Sequence, residues 1–212
     1  MACAGCTVYR GVVLAGLKKG EWIGIVGSGG GLGHLGVQFA HALGLNVVGI
    51  NARDEDLELT KKGGADVFVD ARIGHNKVVD EAKNVTNGEG VAATINVSDA
   101  SKAIATACAI TAMHGTAIQI AQPNEVVIPF QKLISRDIRV KGSLICSAEE
   151  ARAVLDVVAE HGISVETNPF KGLKEIGKLI DLAESGKMKG KGVIVMDEEQ
   201  IRREEQSRLN MV

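Results

Sequence analysis

Residues 22–51 read WIGIVGSGGGLGHLGVQFAHALGLNVVGIN. An apolar run over 22–26 meets a glycine cluster, then a helical pattern, then a second apolar run ending at Ile50. That order of strand, glycine turn, helix and strand is the setting a dinucleotide-binding fingerprint requires. Glycines let the backbone turn sharply and approach a pyrophosphate, and the following helix supplies N–H groups that have no partner of their own. The glycines fall at Gly27, Gly30 and Gly33, with Gly29 and Gly31 between them, and Ser28 stands where the plain G-x-G-x-x-G has its first glycine. Gly27, Gly30, Gly31, Leu32 and Gly33 are therefore candidate cofactor contacts. A tight turn without a ligand is the alternative reading of the glycines taken alone.

The rest of the chain agrees with this unit. Leu32, Leu35, Phe39, Ala40 and Leu43 recur at helical spacing, and Gly44 is placed to end the helix. Further apolar runs at 46–50, 67–69, 92–97, 116–121 and 138–144 read as strands, six with the first. They are continuous rather than alternating, as strands covered on both faces are. Between them 54–62, 76–87 and 99–113 read as helices, the last capped by Ser98 or Asp99. Ser147-Ala148-Glu149-Glu150 is a capping box for a helix running to about His161. The predicted fold is α/β: a doubly wound parallel sheet of six strands (a Rossmann fold) with a short C-terminal appendage. Its ligand crevice lies at the carboxyl ends of the strands.

At 212 residues, 45% of them hydrophobic, the chain can bury one core plus an appendage. The formal charge of −2 and the lack of a strong basic stretch do not point to nucleic acid. No apolar stretch is long enough to span a bilayer, and the first residues do not resemble a signal peptide, so the expected location is the cytoplasm. The four cysteines, Cys3, Cys6, Cys108 and Cys146, are scattered and read as reduced thiols rather than a disulfide framework. Residues 197–207 form a charged run that reads as a solvated terminal helix.

Cys3-Ala4-Gly5 followed by Thr7-Val8-Tyr9, then Gly30-Gly31-Leu32-Gly33 and Gly63-Gly64-Ala65-Asp66, resembles the zinc-dependent alcohol dehydrogenases of the medium-chain superfamily, fungal branch. Ile95-Asn96-Val97-Ser98, His114-Gly115-Thr116, Lys141-Gly142-Ser143 and Gly190-Lys191-Gly192-Val193 continue the resemblance, in order, to about Met196. It implies an oxidoreductase that passes hydride between an alcohol carbon and NAD(P), with a small alcohol or aldehyde as substrate in the complete enzyme. It also implies that two of three catalytic zinc ligands, the structural zinc cluster and the proton relay belong to an upstream domain. Cys3 matches the third ligand, and one thiolate cannot hold a tetrahedral zinc. The implied organisation is a linker helix from the catalytic domain over 1–16, the cofactor domain over 17–162, a return segment over 163–197 and a charged tail over 198–212. On this reading the chain is inactive alone. Two alternatives stay open: a non-catalytic dinucleotide-binding module, and a zinc-independent reductase of the quinone-reductase type, against which Cys3 speaks.

Individual positions carry further expectations. Cys3 and Cys6 form C-x-x-C, which without a partner pair is a weak redox or metal signal. Cys6, Cys108 and Cys146 read as small core residues, and His34 as a solvated residue at a helix start. The resemblance puts Asn51 where NAD-type members carry an Asp on the adenosine ribose. Asn lacks the charge that rejects a 2′-phosphate, and Arg53 could pair with one, so NAD is favoured while NADP stays open. Ser98 is either a crevice hydroxyl or only a cap. By resemblance Ile120 and Gln122, then Ser143 and Ile145, fall where the backbone meets the nicotinamide carboxamide; Gln122 departs from the apolar residue usual there. Lys191 stands where an Arg reaches the pyrophosphate, keeping the charge without the fork, or is a surface lysine beside Lys187 and Lys189. By the same resemblance the sixth strand offers an edge for a homo-oligomer.

Overall fold

A computed structural model describes residues 1–197 and Glu199. The charged tail expected over 198–212, and most of the terminal helix expected over 197–207, lie outside the described residues. The chain forms two compact units, one ending at Ile163 and the other beginning at Ser164.

The first unit runs α1 (Ala4–Leu14), β1 (Trp22–Val26), α2 (Gly33–Ala42), β2 (Asn46–Asn51), α3 (Asp54–Lys62), β3 (Val67–Asp70) and α4 (His75–Asn84). It continues with β4 (Val91–Asn96), α5 (Ala103–Ile110), β5 (Thr111–Gln119), α6 (Phe130–Ile134), β6 (Arg139–Gly142) and α7 (Ala148–His161). The six strands form one sheet in the order β3-β2-β1-β4-β5-β6, parallel throughout. This is the doubly wound order, with its switch point between β1 and β4. Register aligns the strand ends: Val26 pairs with Ile50 and Asn96, Asn51 with Asp70, and Asn96 with Gln119, which pairs in turn with Gly142. The carboxyl ends thus form a continuous rim.

The core follows from the apolar runs. Ile23, Ile25, Val47, Val48, Val69, Ala93, Ile95, Ala117 and Ile118 are fully buried. Each buried branched side chain contributes roughly 1.5–3 kcal/mol of apolar transfer, so the central strands need both faces covered. α2 lays Leu35, Val37, Phe39 and Ala40 on the sheet, and Phe39 meets Tyr9 of α1 edge to face at 5.2 Å between ring centroids. Gly44, at φ +77°, turns the chain out of α2. The capping box before α7 is present in both directions: Glu150 N–H donates to Ser147 Oγ at 3.1 Å and Ser147 N–H to Glu150 Oε2 at 2.7 Å. Arg10 donates to the same carboxylate at 2.7 Å and ties α1 to α7.

The structure corrects one helix. The segment expected over 99–113 is helical only from Ala103 to Ile110, and Lys102, not Ser98 or Asp99, is its N-cap residue. Ser98 and Asp99 instead serve the rim described below. The fifth strand begins at Thr111 rather than at 116, and between its pairings Val91 with Thr111 and Ala93 with Thr116 the register shifts. His114, at φ +61°, lies in that irregular stretch. The Arg136 guanidinium holds it from outside, donating to Ala109 O at 2.8 Å and to Thr111 O.

The second unit contains β7 (Thr167–Lys171), α8 (Ile176–Glu184) and β8 (Lys191–Val195). β7 and β8 pair in parallel from Thr167 with Lys191 to Lys171 with Val195.

Candidate cofactor-binding site

The glycine turn is built by the end of β1. Gly27, at φ +88°, adopts a conformation L side chains avoid, and a Cβ there would stand 3.1 Å from both Ser98 N and Ser98 Cβ. The N–H groups of Gly27 and Ser28 donate to Ile50 O at 2.8 and 3.2 Å, so β2 holds the turn in place. Gly33 sits against the same turn: a Cβ would reach 2.7 Å from Ser28 C and Cα, and closer still to Gly27 O. Gly30 is different, since a Cβ would meet only Gly27 O at 3.4 Å. Gly30, Gly31 and Leu32 are half-buried and lead into α2; the N–H groups of His34, Leu35 and Gly36 donate back to Gly30 O and Leu32 O, so the turn ahead of the helix is where an anion would be received. Ser28 is buried and shares a hydroxyl contact of 2.7 Å with Thr60, which explains a hydroxyl in place of a glycine.

His34 is not solvated. It is 1% exposed, and its ring Nδ1 lies 2.8 Å from Gly30 O, so it donates there and braces the loop from behind. A helix-start histidine is ordinarily wet, but here α2 is packed from its first turn.

Gly27, Asn51 and Ser98 converge on one cavity of about 240 Å³. Asn51 enters from the end of β2, its Oδ1 accepting from Ala52 N–H at 2.8 Å. Ser98 enters from the end of β4, with its N–H donating to Asn96 Oδ1 at 3.1 Å and its Oγ accepting from Ala100 N–H at 3.3 Å. Val26, Ile50 and Val78 give the cavity an apolar floor. Three further polar residues line it: His75 from the start of α4, Lys102 before α5 and Thr106 within it, with His75 Nδ1 3.1 Å from Thr106 Oγ1. Sequence reasoning missed these. The signal for His75 was its place just past the third strand, where crevice residues of this fold arise.

Arg53 does not line the cavity. Its Nε lies 3.8 Å from Asp56 Oδ2 and 3.9 Å from Glu55 Oε2, at the acidic start of α3. Arg72 is engaged similarly, by Asp54 and Asp70.

Ile120, Gln122, Ser143 and Ile145 stand past the β5 and β6 ends, outside that cavity. Ile120 is buried and donates its N–H to Asn96 O at 3.0 Å, while Gln122 is exposed and donates its N–H to Asp99 Oδ1 at 3.1 Å. Ser143 donates its N–H to Gln119 O at 3.0 Å. Its Oγ is buried and has no hydrogen-bond partner among the described residues. Ile145 is exposed. Lys191 belongs to the second unit, on β8, where its N–H donates to Glu166 O at 2.8 Å. The open space before Gly30, the polar cavity beside Gly27 and the orphaned Ser143 hydroxyl all fit a dinucleotide.

Zinc fits less well. Cys3, the N-cap residue of α1, is exposed, and among the described residues no three His, Cys, Asp or Glu side chains converge to hold a metal ion. All four cysteines are free. Burial, with the neighbouring Cys146 thiol, pushes Cys6 up to about 11, and burial pushes Cys108 up to about 11. Both are poor nucleophiles at neutral pH. Cys146 is half-buried rather than a core residue.

Residues 31–160 match the family described as zinc-binding dehydrogenase. The chain is 32% identical over 200 residues to alcohol dehydrogenase 1 of Emericella nidulans, covering 92% of this chain and 56% of that protein. It is 32% identical over 202 residues to an alcohol dehydrogenase of Geobacillus stearothermophilus, covering 93% and 57%. Among solved structures, the alcohol dehydrogenase of Aeropyrum pernix superposes with a TM-score of 0.82 at 28% identity, covering 92% of this chain and 56% of that one. The chain therefore spans a little over half the length of these relatives.

Proposed function

As the chain belongs to the zinc-binding dehydrogenase family, we propose that it is the cofactor-binding part of an alcohol dehydrogenase-like oxidoreductase, and that its crevice takes NAD in preference to NADP. The observation that carries the reading is the convergence of Gly27, Asn51 and Ser98 on one cavity at the switch point of the sheet. Ligands of doubly wound folds bind there. In this reading the glycine turn and the start of α2 receive the pyrophosphate, with Gly30, Gly31, Leu32 and Gly33 in contact. Asn51 receives the adenosine ribose. Ser98, Ile120, Gln122, Ser143 and Ile145 form the nicotinamide side.

The NAD preference rests on charge. Arg53, just past β2, and Arg72, just past β3, are engaged by Asp54, Glu55, Asp56 and Asp70. A 2′-phosphate beside Asn51 would meet carboxylates whose arginines are already committed, and Lys102, which also lines the cavity, keeps the preference for NAD a modest one. In the complete enzyme the nicotinamide would exchange hydride with a small alcohol or aldehyde. Cys3 would contribute one zinc ligand, and the described residues provide no complete donor set beside it. A homo-oligomer through the β6 edge is part of the proposal: all four β6 residues are exposed, with Val140, Leu144 and Ile145 presenting apolar surface. The free thiols suit a cytoplasmic setting.

A polypeptide of residues 1–212 should hold no stoichiometric zinc by metal analysis and should turn over no alcohol, with or without added zinc. Hydride departure needs an alkoxide-like oxygen, and a lone thiolate supplies no Lewis acid to form one. Joining the zinc domain of a close relative ahead of Cys3 should give ethanol-dependent NADH formation, and Cys3→Ser in that fusion should abolish it. Zinc-dependent turnover by residues 1–212 alone would contradict the proposal. An active Cys3→Ser fusion would remove Cys3 from the ligand set.

A further inference from the structure

A chain of amide groups joins three strands at the rim of β4, β5 and β6. Asn96, 1% exposed at the end of β4, donates from Nδ2 to Gln119 Oε1 at 2.9 Å and accepts at Oδ1 from Ser98 N–H at 3.1 Å. Its main-chain carbonyl accepts from both Ile120 N–H at 3.0 Å and Ala121 N–H at 3.1 Å. Gln119 donates from Nε2 to Ala121 O at 2.6 Å, and its own carbonyl accepts from Ser143 N–H at 3.0 Å. The directions enforce one another. Asn96 Oδ1 faces an N–H, which turns Nδ2 toward Gln119 Oε1 and Gln119 Nε2 toward a carbonyl. Turning over either amide would set like groups face to face.

A parallel sheet needs no such bridge for cohesion. One residue earlier on the same strands, Ile95 and Ile118 pair across β4 and β5 as fully buried apolar side chains. The side-chain amides begin where the strands stop and hold residues 98 and 121, while the main-chain carbonyls of the same two residues hold Ile120 and Ser143. A part-buried polar network with fixed donor and acceptor directions favours one geometry, whereas an apolar contact tolerates several. In a doubly wound fold the β4–β6 half serves the second mononucleotide, and the β1–β3 half the first.

We infer that the Asn96–Gln119 side-chain bridge is a positioning pair that sets the nicotinamide-side rim of the crevice. The inference rests on the dinucleotide reading above. The Gln119 end of the bridge concerns the half of the cofactor beyond the pyrophosphate, and Gln119→Met leaves the bond from Ser98 N–H to Asn96 Oδ1, which borders the adenosine cavity, in place.

The test compares NADH with ADP-ribose, which carries the same adenosine and pyrophosphate but no nicotinamide ring, by calorimetric titration of the full chain. Gln119→Met keeps side-chain length and apolar fit while removing both bridge bonds. It should weaken NADH about tenfold, the equivalent of one to two net hydrogen bonds, and leave ADP-ribose within about twofold. Asn96→Asp retains the acceptor for Ser98 N–H but sets a carboxylate oxygen against Gln119 Oε1, so it should shift the two ligands in the same unequal way. Having two variants covers the case in which one fails to fold. A merely structural role would move both ligands in parallel. Equal shifts, or no shift in NADH for the variants that fold, would overturn the positioning role. A wild-type chain that binds ADP-ribose and NADH with equal affinity would also overturn it, because the ring would then gain nothing from the rim. A wild-type chain that binds neither would remove the dinucleotide reading itself.

Discussion

Gly33→Ala is expected to abolish measurable NADH binding and to lower the thermal midpoint of the chain, while Gly30→Ala keeps the midpoint and loses only the binding. The contrast follows from what a methyl group meets. At Gly33 it runs into backbone, Gly27 O and the Ser28 main chain, none of which can swing aside as a side-chain tip does. The first turn of α2 would have to lift away from β1. Overpacking of a close-packed site costs about 1–3 kcal/mol, and backbone neighbours put this one at the upper end. For a chain of this size that is a midpoint loss of roughly 6–12 °C. The displaced N–H groups would no longer stand where an anion is received.

At Gly30 the methyl meets only Gly27 O at an ordinary 3.4 Å, so the fold has room for it. The space it enters is the space the proposal gives to the pyrophosphate. Differential scanning calorimetry and NADH titration of both variants separate the two effects. Unchanged NADH affinity in Gly30→Ala would remove the glycine turn from the binding surface, and an unchanged midpoint in Gly33→Ala would contradict the packing described here.

Asn51→Asp should move the ratio of NADH to NADPH affinity toward NADH by about tenfold or more. A charge-assisted hydrogen bond to the ribose is worth roughly 1.5–3 kcal/mol, and the new carboxylate repels a 2′-phosphate. The exchange is isosteric, and Asp retains the Oδ1 that accepts from Ala52 N–H, so the turn after β2 should survive it. Arg53→Ala should have the smaller effect, because Asp56 and Glu55 already engage that guanidinium. Parallel titrations of NADH and NADPH against both variants check this. If Asn51→Asp leaves the ratio unmoved, Asn51 does not face the ribose.

Much of the first unit was legible because its constraints are local. The run from β1 through the glycine turn to β2 declares itself in thirty consecutive residues, since few other uses require so many glycines between two apolar strands. Ser147 and Glu150 are three apart, so the capping box and the start of α7 were equally plain. What could not be read depends on partners distant in sequence. The Ala- and Ile-rich stretch through 103–113 keeps helical spacing past the point where the helix stops. The strand is imposed there by pairing with Val91 and by the Arg136 guanidinium, about 25 residues downstream. His34 carried no sign of burial, because the packing that dries it comes from tertiary contacts around α2. The same holds for the site. Gly27, Asn51 and Ser98 follow from the rule that ligands sit past strand ends. The approach of His75 to Thr106, and of Asn96 to Gln119, depends on the packing of segments more than twenty residues apart in sequence.

The most direct measurement is calorimetric titration of the 212-residue chain with NADH, repeated in the presence of saturating ADP-ribose, with circular dichroism to establish that the chain is folded. A crevice built as proposed gives one saturable NADH site per chain, and ADP-ribose abolishes the signal by occupying the same turn and cavity. A folded chain with no saturable NADH signal, or one whose NADH binding ADP-ribose leaves untouched, would contradict the assignment of this crevice to a dinucleotide.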